Sequence, residues 1–142
     1  YQFLYLGTRG TGTPCHSDVL GSYSWSAQLA GKKRWRMYHP GETWRLLDGT
    51  GEQCLVDCEA DNDAGFPHAK EAKWREITTS RGDIMFVPTG WYHHVWNDED
   101  ALSINQNWGN GASILWTAVT LRRDLWRVQF LLTGEHAAPS DA

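Results

Sequence analysis

Asp83-Ile84-Met85-Phe86-Val87-Pro88-Thr89-Gly90-Trp91-Tyr92-His93-His94-Val95-Trp96-Asn97 is the stretch on which the fold turns. In the run 83–87, residues 84–87 are β-branched, aromatic or long apolar types, which favour a strand. Pro88-Thr89-Gly90 breaks the run with turn chemistry. Residues 91–97 then resume as a second strand. Outward from this pair the same grammar repeats. Asn97-Asp98-Glu99-Asp100 is a turn before a strand at 101–107, and Arg81-Gly82 separates 83–87 from a strand at 74–78. Upstream, apolar or alternating runs at 2–6, 15–20, 23–30 and 33–38 are punctuated by Gly7, Gly21 and Gly31, with a loop by composition at 8–14. Eight short strands of this kind predict an all-β fold, an antiparallel jelly roll over residues 1–110.

Two segments depart from the pattern. Residues 40–73 hold Gly41, Gly49, Gly51, Gly65 and Pro67, and read as a long insertion between the fourth and fifth strands. It carries Asp57, Glu59, Asp61 and Asp63 without an intervening base. The plain reading of such a charge run is a solvated loop. The sharper expectation is that it sits near the rim of a site and attracts a basic protein segment. In the last segment Ile114, Ala118, Leu121, Leu125, Val128 and Leu132 recur at steps of three and four, one apolar face of a C-terminal α-helix over 111–134. Ser113 or Asn110 suits its start and Gly134 its end. Packing on the sheet is the plain expectation for that face, and self-association the alternative. Residues 135–142 form a tail.

The 142 residues make one domain's worth of chain, with nine tryptophans and a net charge of −4. No basic stripe that would track phosphates is visible, so nucleic acid is an unfavoured partner. No apolar run reaches membrane-spanning length, and no signal peptide is seen. The chain begins at Tyr1 and runs straight into Phe3-Leu4-Tyr5-Leu6, which suggests a piece of a longer protein. Cys15, Cys54 and Cys58 are odd in number and lack a framework spacing. That favours a reducing compartment, cytoplasmic or nuclear. Cys54 and Cys58 read as loop thiols, and half of a zinc site with His68 is the sharper alternative.

The chemistry starts at His16-Ser17-Asp18. In a strand, residues i and i+2 share a face, so imidazole and carboxylate converge while Cys15 and Ser17 face away. Two such groups and one more histidine make the triad of non-haem iron(II) oxygenases, which leaves coordination positions open. Trp91, His93 and Val95 would share one face, and Tyr92, His94 and Trp96 the other. Alternation alone does not choose between His93 and His94.

These pieces carry a family resemblance. Thr13-x-x-His16-x-Asp18, Trp25, Gly31-Lys32-Lys33-Arg34-Trp35, Asp83 to His93 and Ser103-Ile104-Asn105-Gln106-Asn107-Trp108 occur in an order that resembles the JmjC branch of 2-oxoglutarate oxygenases, over about residues 1–110. The resemblance implies a double-stranded β-helix of the jelly-roll or cupin type, with Fe(II), 2-oxoglutarate and O2 as cofactor and cosubstrates. Its register selects His93, after Gly-Trp and one residue, as the third iron ligand with His16 and Asp18. It assigns Lys33 and Thr13 to the distal carboxylate of 2-oxoglutarate, and Asn105 and Asn107 to the pocket lining. Ser26 stands where relatives often carry asparagine, also on the cosubstrate side. Burial of an ammonium at Lys33 would be costly without an anion beside it, which supports that role. Trp25, Trp35, Trp91 and Trp108 would wall the site.

The implied activity is oxidative: 2-oxoglutarate is decarboxylated to succinate and a substrate carbon is hydroxylated. Finer motifs, Ser22-Tyr23-Ser24-Trp25-Ser26-Ala27, Phe66-Pro67 and Asn107-Trp108-Gly109-Asn110-Gly111, resemble the lysyl hydroxylases that act on the eukaryotic translation release factor. That implies a protein substrate. Histone lysine demethylases, asparaginyl hydroxylases and a tRNA hydroxylase share the core motifs, so fold analogy leaves the substrate open. A cupin-like binding module without catalysis is the non-enzyme alternative.

Overall fold

Strands form where the sequence alternates, and glycine or proline ends them. The computed structural model describes residues 2–51, 53–60 and 65–134. Within them the order is β1 (Gln2–Gly7), β2 (Gly12–His16), β3 (Tyr23–Ala30), β4 (Lys32–Tyr38), β5 (Trp74–Ser80), β6 (Ile84–Val87), β7 (Tyr92–Asn97), β8 (Ala101–Trp108) and the helix α1 (Ile114–Thr133). Two four-stranded antiparallel sheets result, β1-β8-β3-β6 and β2-β7-β4-β5. Every strand has neighbours distant in sequence, the interleaving of a jelly roll. The expected all-β double-stranded β-helix with a C-terminal helix is therefore the architecture found. Gly31 shows how tightly the β3–β4 turn is made. Its φ is +71°, and an added Cβ would stand 2.0 Å from the carbonyl oxygen of Asp100, so conformation and space both demand glycine.

Alternation along β4 divides the molecule. Lys33, Trp35 and Met37 face inward between the sheets, and Trp35 and Met37 join Met85, Val87 and Val95 in one apolar cluster, with Trp91 against it. Arg34, Arg36 and Tyr38 face outward. There a second cluster forms from Cys15, Tyr38, Leu46, Leu55 and Ala72. Leu46, Leu55 and Ala72 belong to the 40–73 segment, which lies over the outer face of β2-β7-β4-β5. Leu46 is wholly buried, worth about 1.5–3 kcal/mol for a side chain of its type. Two 3-10 turns, Pro40–Leu46 and Ala69–Glu71, shape this cover.

For Asp57 and Glu59, the described half of the acidic run, this placement corrects the expectation that the run lies at the rim of the site. Glu59 pairs with Arg34 at 2.8 Å and Arg36 at 3.3 Å, and Asp57 stands 3.9 Å from His94. The same guanidinium of Arg34 lies over Trp96 at 4.3 Å. Glu59 thus balances the outward cations of β4, and it is the start of the insertion, Pro40 and Thr43, that reaches a cleft beside Asp18. Asp61, Asp63 and the tail 135–142 lie outside the described residues.

The C-terminal helix forms at the expected place. Gly134 ends it in the left-handed region, with its N–H on the Phe130 carbonyl. At its start the Asn110 carboxamide oxygen accepts from the N–H groups of Ala112 and Ser113. Its main packing is not on the sheet, as expected, but on the 3-10 turn Val19–Gly21, where Trp116 and Thr120 approach Gly21. Leu125 and Leu132 of the predicted apolar face are 69% and 81% exposed.

Candidate metal centre

The site sits where β2 and β7 pair, with His16 directly opposite His93. Thr13 and His16 both line the same cavity although they are three residues apart. Strict alternation would send one of them outward. The pairing register shifts between them, and this bulge brings both inside while Cys15 stays in the outer cluster. The expected strand at 15–20 is corrected to Gly12–His16, so His16 is its last residue. Asp18 lies just beyond, still in extended backbone (φ −61°, ψ 144°), and a 3-10 turn follows. Extended conformation carries the i, i+2 geometry past the end of the hydrogen-bonded ladder.

His16, Asp18 and His93 come together as predicted, with their candidate ligand atoms all within 4.8 Å of one another. The two imidazole centroids are 4.2 Å apart. His16 Nδ1 meets the Pro14 carbonyl at 2.7 Å, and His93 Nδ1 meets the Trp91 carbonyl at 3.2 Å. A carbonyl accepts, so each Nδ1 carries the proton and each Nε2 keeps its lone pair. Burial, and then the charge of His16, hold the His93 pKa down to about 4, which keeps the ring neutral and ready to ligate. Asp18 is oriented at both oxygens. Ser24 Oγ donates to Oδ2 at 2.6 Å and Asn107 Nδ2 donates to Oδ1 at 3.0 Å. Two neutral imidazole nitrogens and one carboxylate suit a non-haem iron(II) ion, so the donor set passes the test of chemistry.

His94 points the other way. Its ring stacks on Trp96 at 3.8 Å, and its Nδ1 accepts from the Cys58 N–H at 3.3 Å. The register thus resolves the pair that alternation left open.

Lys33, Thr13, Asn105 and Asn107 line the cavity beside the three candidate ligands, together with Tyr5 and Trp35. Lys33 is buried, and no ion pair holds it among the described residues. Burial pushes its pKa below the ordinary lysine value. Its ammonium donates to Ser103 Oγ at 2.7 Å and lies 5.5 Å from the Tyr5 ring centroid. Ser103 Oγ donates onward to Asn105 Oδ1, which also accepts from Ser26 Oγ at 2.8 Å. Ser26 is therefore a correction: it does not line the cavity but stands behind Asn105 and fixes its carboxamide. The tryptophan wall is also corrected. Trp35 lines the cavity and Trp91 packs on the inner cluster. Trp25, paired with Phe86, has outward parity, and Trp108 stacks outside on Tyr23 at 4.8 Å.

Ser24 and Ser103 were not singled out from sequence. The signal was present: Ser22, Ser24 and Ser26, and Ser103, Asn105 and Asn107, put small polar groups at every second position of strands whose neighbours are apolar. A polar face turned inward marks a lined cavity.

The sequence pattern of a family described as a Cupin-like domain matches residues 2–113. The chain belongs to that family. This cupin-like domain is 42% identical over 125 residues to "Arginine-specific demethylase JMJ20" of Arabidopsis thaliana, covering 87% of the chain and 27% of that protein. It is 44% identical over 121 residues to "2-oxoglutarate and iron-dependent oxygenase JMJD4" of Danio rerio, covering 82% and 29%. With the protein of that name from Homo sapiens it shares 34% over 138 residues, covering 91% and 32%. The chain thus spans about three tenths of the length of these relatives, and they agree with the JmjC resemblance carried by its motifs.

Proposed function

We propose that this cupin-like domain is the catalytic core of an Fe(II)- and 2-oxoglutarate-dependent dioxygenase that hydroxylates a protein, on a lysine side chain of a translation release factor-like substrate, in the cytoplasm or nucleus. The observation that carries the reading is one cavity holding both the His16, Asp18 and His93 donor set and a buried lysine with no carboxylate partner among the described residues. The printed names of the JMJD4 relatives support the same cofactor pair.

Bound iron(II) would let O2 serve as the oxidant and 2-oxoglutarate as the electron source, giving succinate and CO2 as one oxygen atom enters a substrate C–H bond. The chain's own residues do the rest. The Nε2 atoms of His16 and His93 and the carboxylate of Asp18 would hold the metal. Lys33 and Thr13 would bind the distal carboxylate, a charge-assisted hydrogen bond being about twice as strong as a neutral one. Ser24 and Asn107 fix the Asp18 carboxylate, Ser26 and Ser103 fix Asn105, and Trp35 and Val95 keep water from that wall of the cavity.

The test is succinate formation from 2-oxoglutarate by the full-length protein with Fe(II), using lysine-containing peptides of the release factor and arginine-containing controls. A stable gain of one oxygen on lysine supports the reading. Turnover on no protein substrate would sink it. The name of JMJ20 favours a second reading, removal of methyl groups from arginine. Hydroxylation of an N-methyl carbon releases formaldehyde and leaves no added oxygen, so the two outcomes separate in one mass spectrum.

A further inference from the structure

Two thiols of the 40–73 segment come up to a third from strand β2 on the face of the sheet opposite the metal site. Cys15 is buried, and Cys54 and Cys58 are half-buried beside it. The Cys15 N–H donates to the Val56 carbonyl at 2.8 Å, so the 40–73 segment runs alongside β2 with Cys54 and Cys58 flanking the point of contact. Cys54 and Cys58 both pack against the buried cluster to which Cys15 belongs. Cys58 also lies against the side chains of His94 and Tyr38. His68, the residue weighed from sequence as their metal partner, is elsewhere, beside Trp44 and Glu71.

Metal binding fits this cluster poorly. Among the described residues only His16, Asp18 and His93 bring three ligand atoms within 4.8 Å of one another. The three thiols do not close a chelate. Cysteines brought together on two adjoining segments, without a closed chelate, suit disulfide chemistry. Cys58 also opens on a cleft of about 100 Å³ lined by Arg36, Tyr38, Phe66, Lys70 and Trp74, ample for a reagent little larger than water.

We propose that Cys58 and Cys15 are a peroxide-sensitive dithiol whose reversible disulfide joins the 40–73 segment to strand β2, one residue before His16. The Cys58 thiolate attacks a hydroperoxide: an S–O bond forms, the O–O bond breaks, and the departing hydroxide or alkoxide takes a proton from solvent. The Cys15 thiol then condenses with the sulfenic acid. The S–S bond forms, the S–O bond breaks, and water leaves with the thiol proton. Two thiols lose two electrons and the hydroperoxide gains them. The neighbouring Cys15, His94 and Tyr38 side chains hold the Cys58 pKa below the ordinary thiol value, which favours the nucleophilic thiolate. In a reducing compartment such a bond is transient and serves sensing, not structure.

The experiment treats the reduced full-length protein with hydrogen peroxide and maps its cysteines by differential alkylation and peptide mass spectrometry. A Cys15–Cys58 linked peptide is expected, lost on treatment with dithiothreitol, retained in Cys54→Ser and absent in Cys58→Ser. In Cys15→Ser the sulfenic acid should persist at Cys58 and be trapped by dimedone. If that variant does not fold, the wild-type peptide map decides alone. A Cys54–Cys58 bridge, irreversible over-oxidation of Cys58 in the wild type, or stoichiometric zinc shielding all three thiols from alkylation would each overturn the proposal.

Discussion

Asn107 donates from its side-chain amide to Asp18 Oδ1 at 3.0 Å. Asn107 is the inward residue near the end of β8, and Asp18 lies beyond the end of β2 where no ladder holds it. The carboxylate therefore depends on side chains for its direction. Asn107→Ala should weaken Fe(II) or Mn(II) binding by roughly 10- to 100-fold, the usual effect of removing a group that orients a ligand. Metal titration followed by calorimetry checks this, and unchanged affinity would show that Ser24 suffices.

Lys33 should act oppositely on stability and on cosubstrate. In the protein without cosubstrate its ammonium is buried on Ser103 with no ion pair among the described residues. Lys33→Met removes that desolvation cost and should raise stability to urea by about 1 kcal/mol or more. The same change should weaken 2-oxoglutarate binding by about 1.5–3 kcal/mol, roughly tenfold or more, and leave metal affinity nearly unchanged. A variant that is less stable and still binds 2-oxoglutarate normally would remove the case for an anion at Lys33.

The metal-free protein should lose stability with acid through His93. Its pKa is about 4 when folded, against 6.5 for the ordinary side chain. As pH falls below about 6.5 the unfolded chain takes up a proton that the folded chain refuses. Stability is thus full above that range and declines until about pH 4, by roughly 3 kcal/mol in all. Urea unfolding at a series of pH values measures the slope. His93→Gln should flatten it, whereas His94→Gln, on the outer face, should leave metal binding largely intact.

Much of this site was legible because strand alternation is short-range. His93 and Val95, and Lys33 and Trp35, fall on their faces by counting, and the family register resolved His93 from His94. The bulge between Thr13 and His16 was not legible: which residue a strand skips is settled by its partner, here β7. Ser26 was misplaced for a related reason. Alternation gives the face of a residue, but not whether a neighbour on the next strand, Asn105, stands between it and the cavity. The meeting of Cys15 with the segment of Cys54 and Cys58, and the docking of the helix on the Val19–Gly21 turn, depend on how distant segments pack, which periodicity does not encode.

The acidic insertion supplies the last prediction. Glu59 accepts from Arg34 and Arg36, whose guanidiniums also lie over Trp96 and Trp74 at 4.3 Å. These groups are on the face of the sheet away from the metal ligands. Changing Asp57→Asn and Glu59→Gln should therefore act on folding and leave substrate capture alone. Glu59 is partly exposed, so the loss should be modest, about 1 kcal/mol or less, and should shrink at high salt. Hydroxylation of a basic peptide, measured as kcat/KM at low and high salt, should match the wild type at both. A fall in kcat/KM confined to low salt would instead give these acids a steering role toward a basic segment, and the insertion would have to reach substrate from behind the sheet.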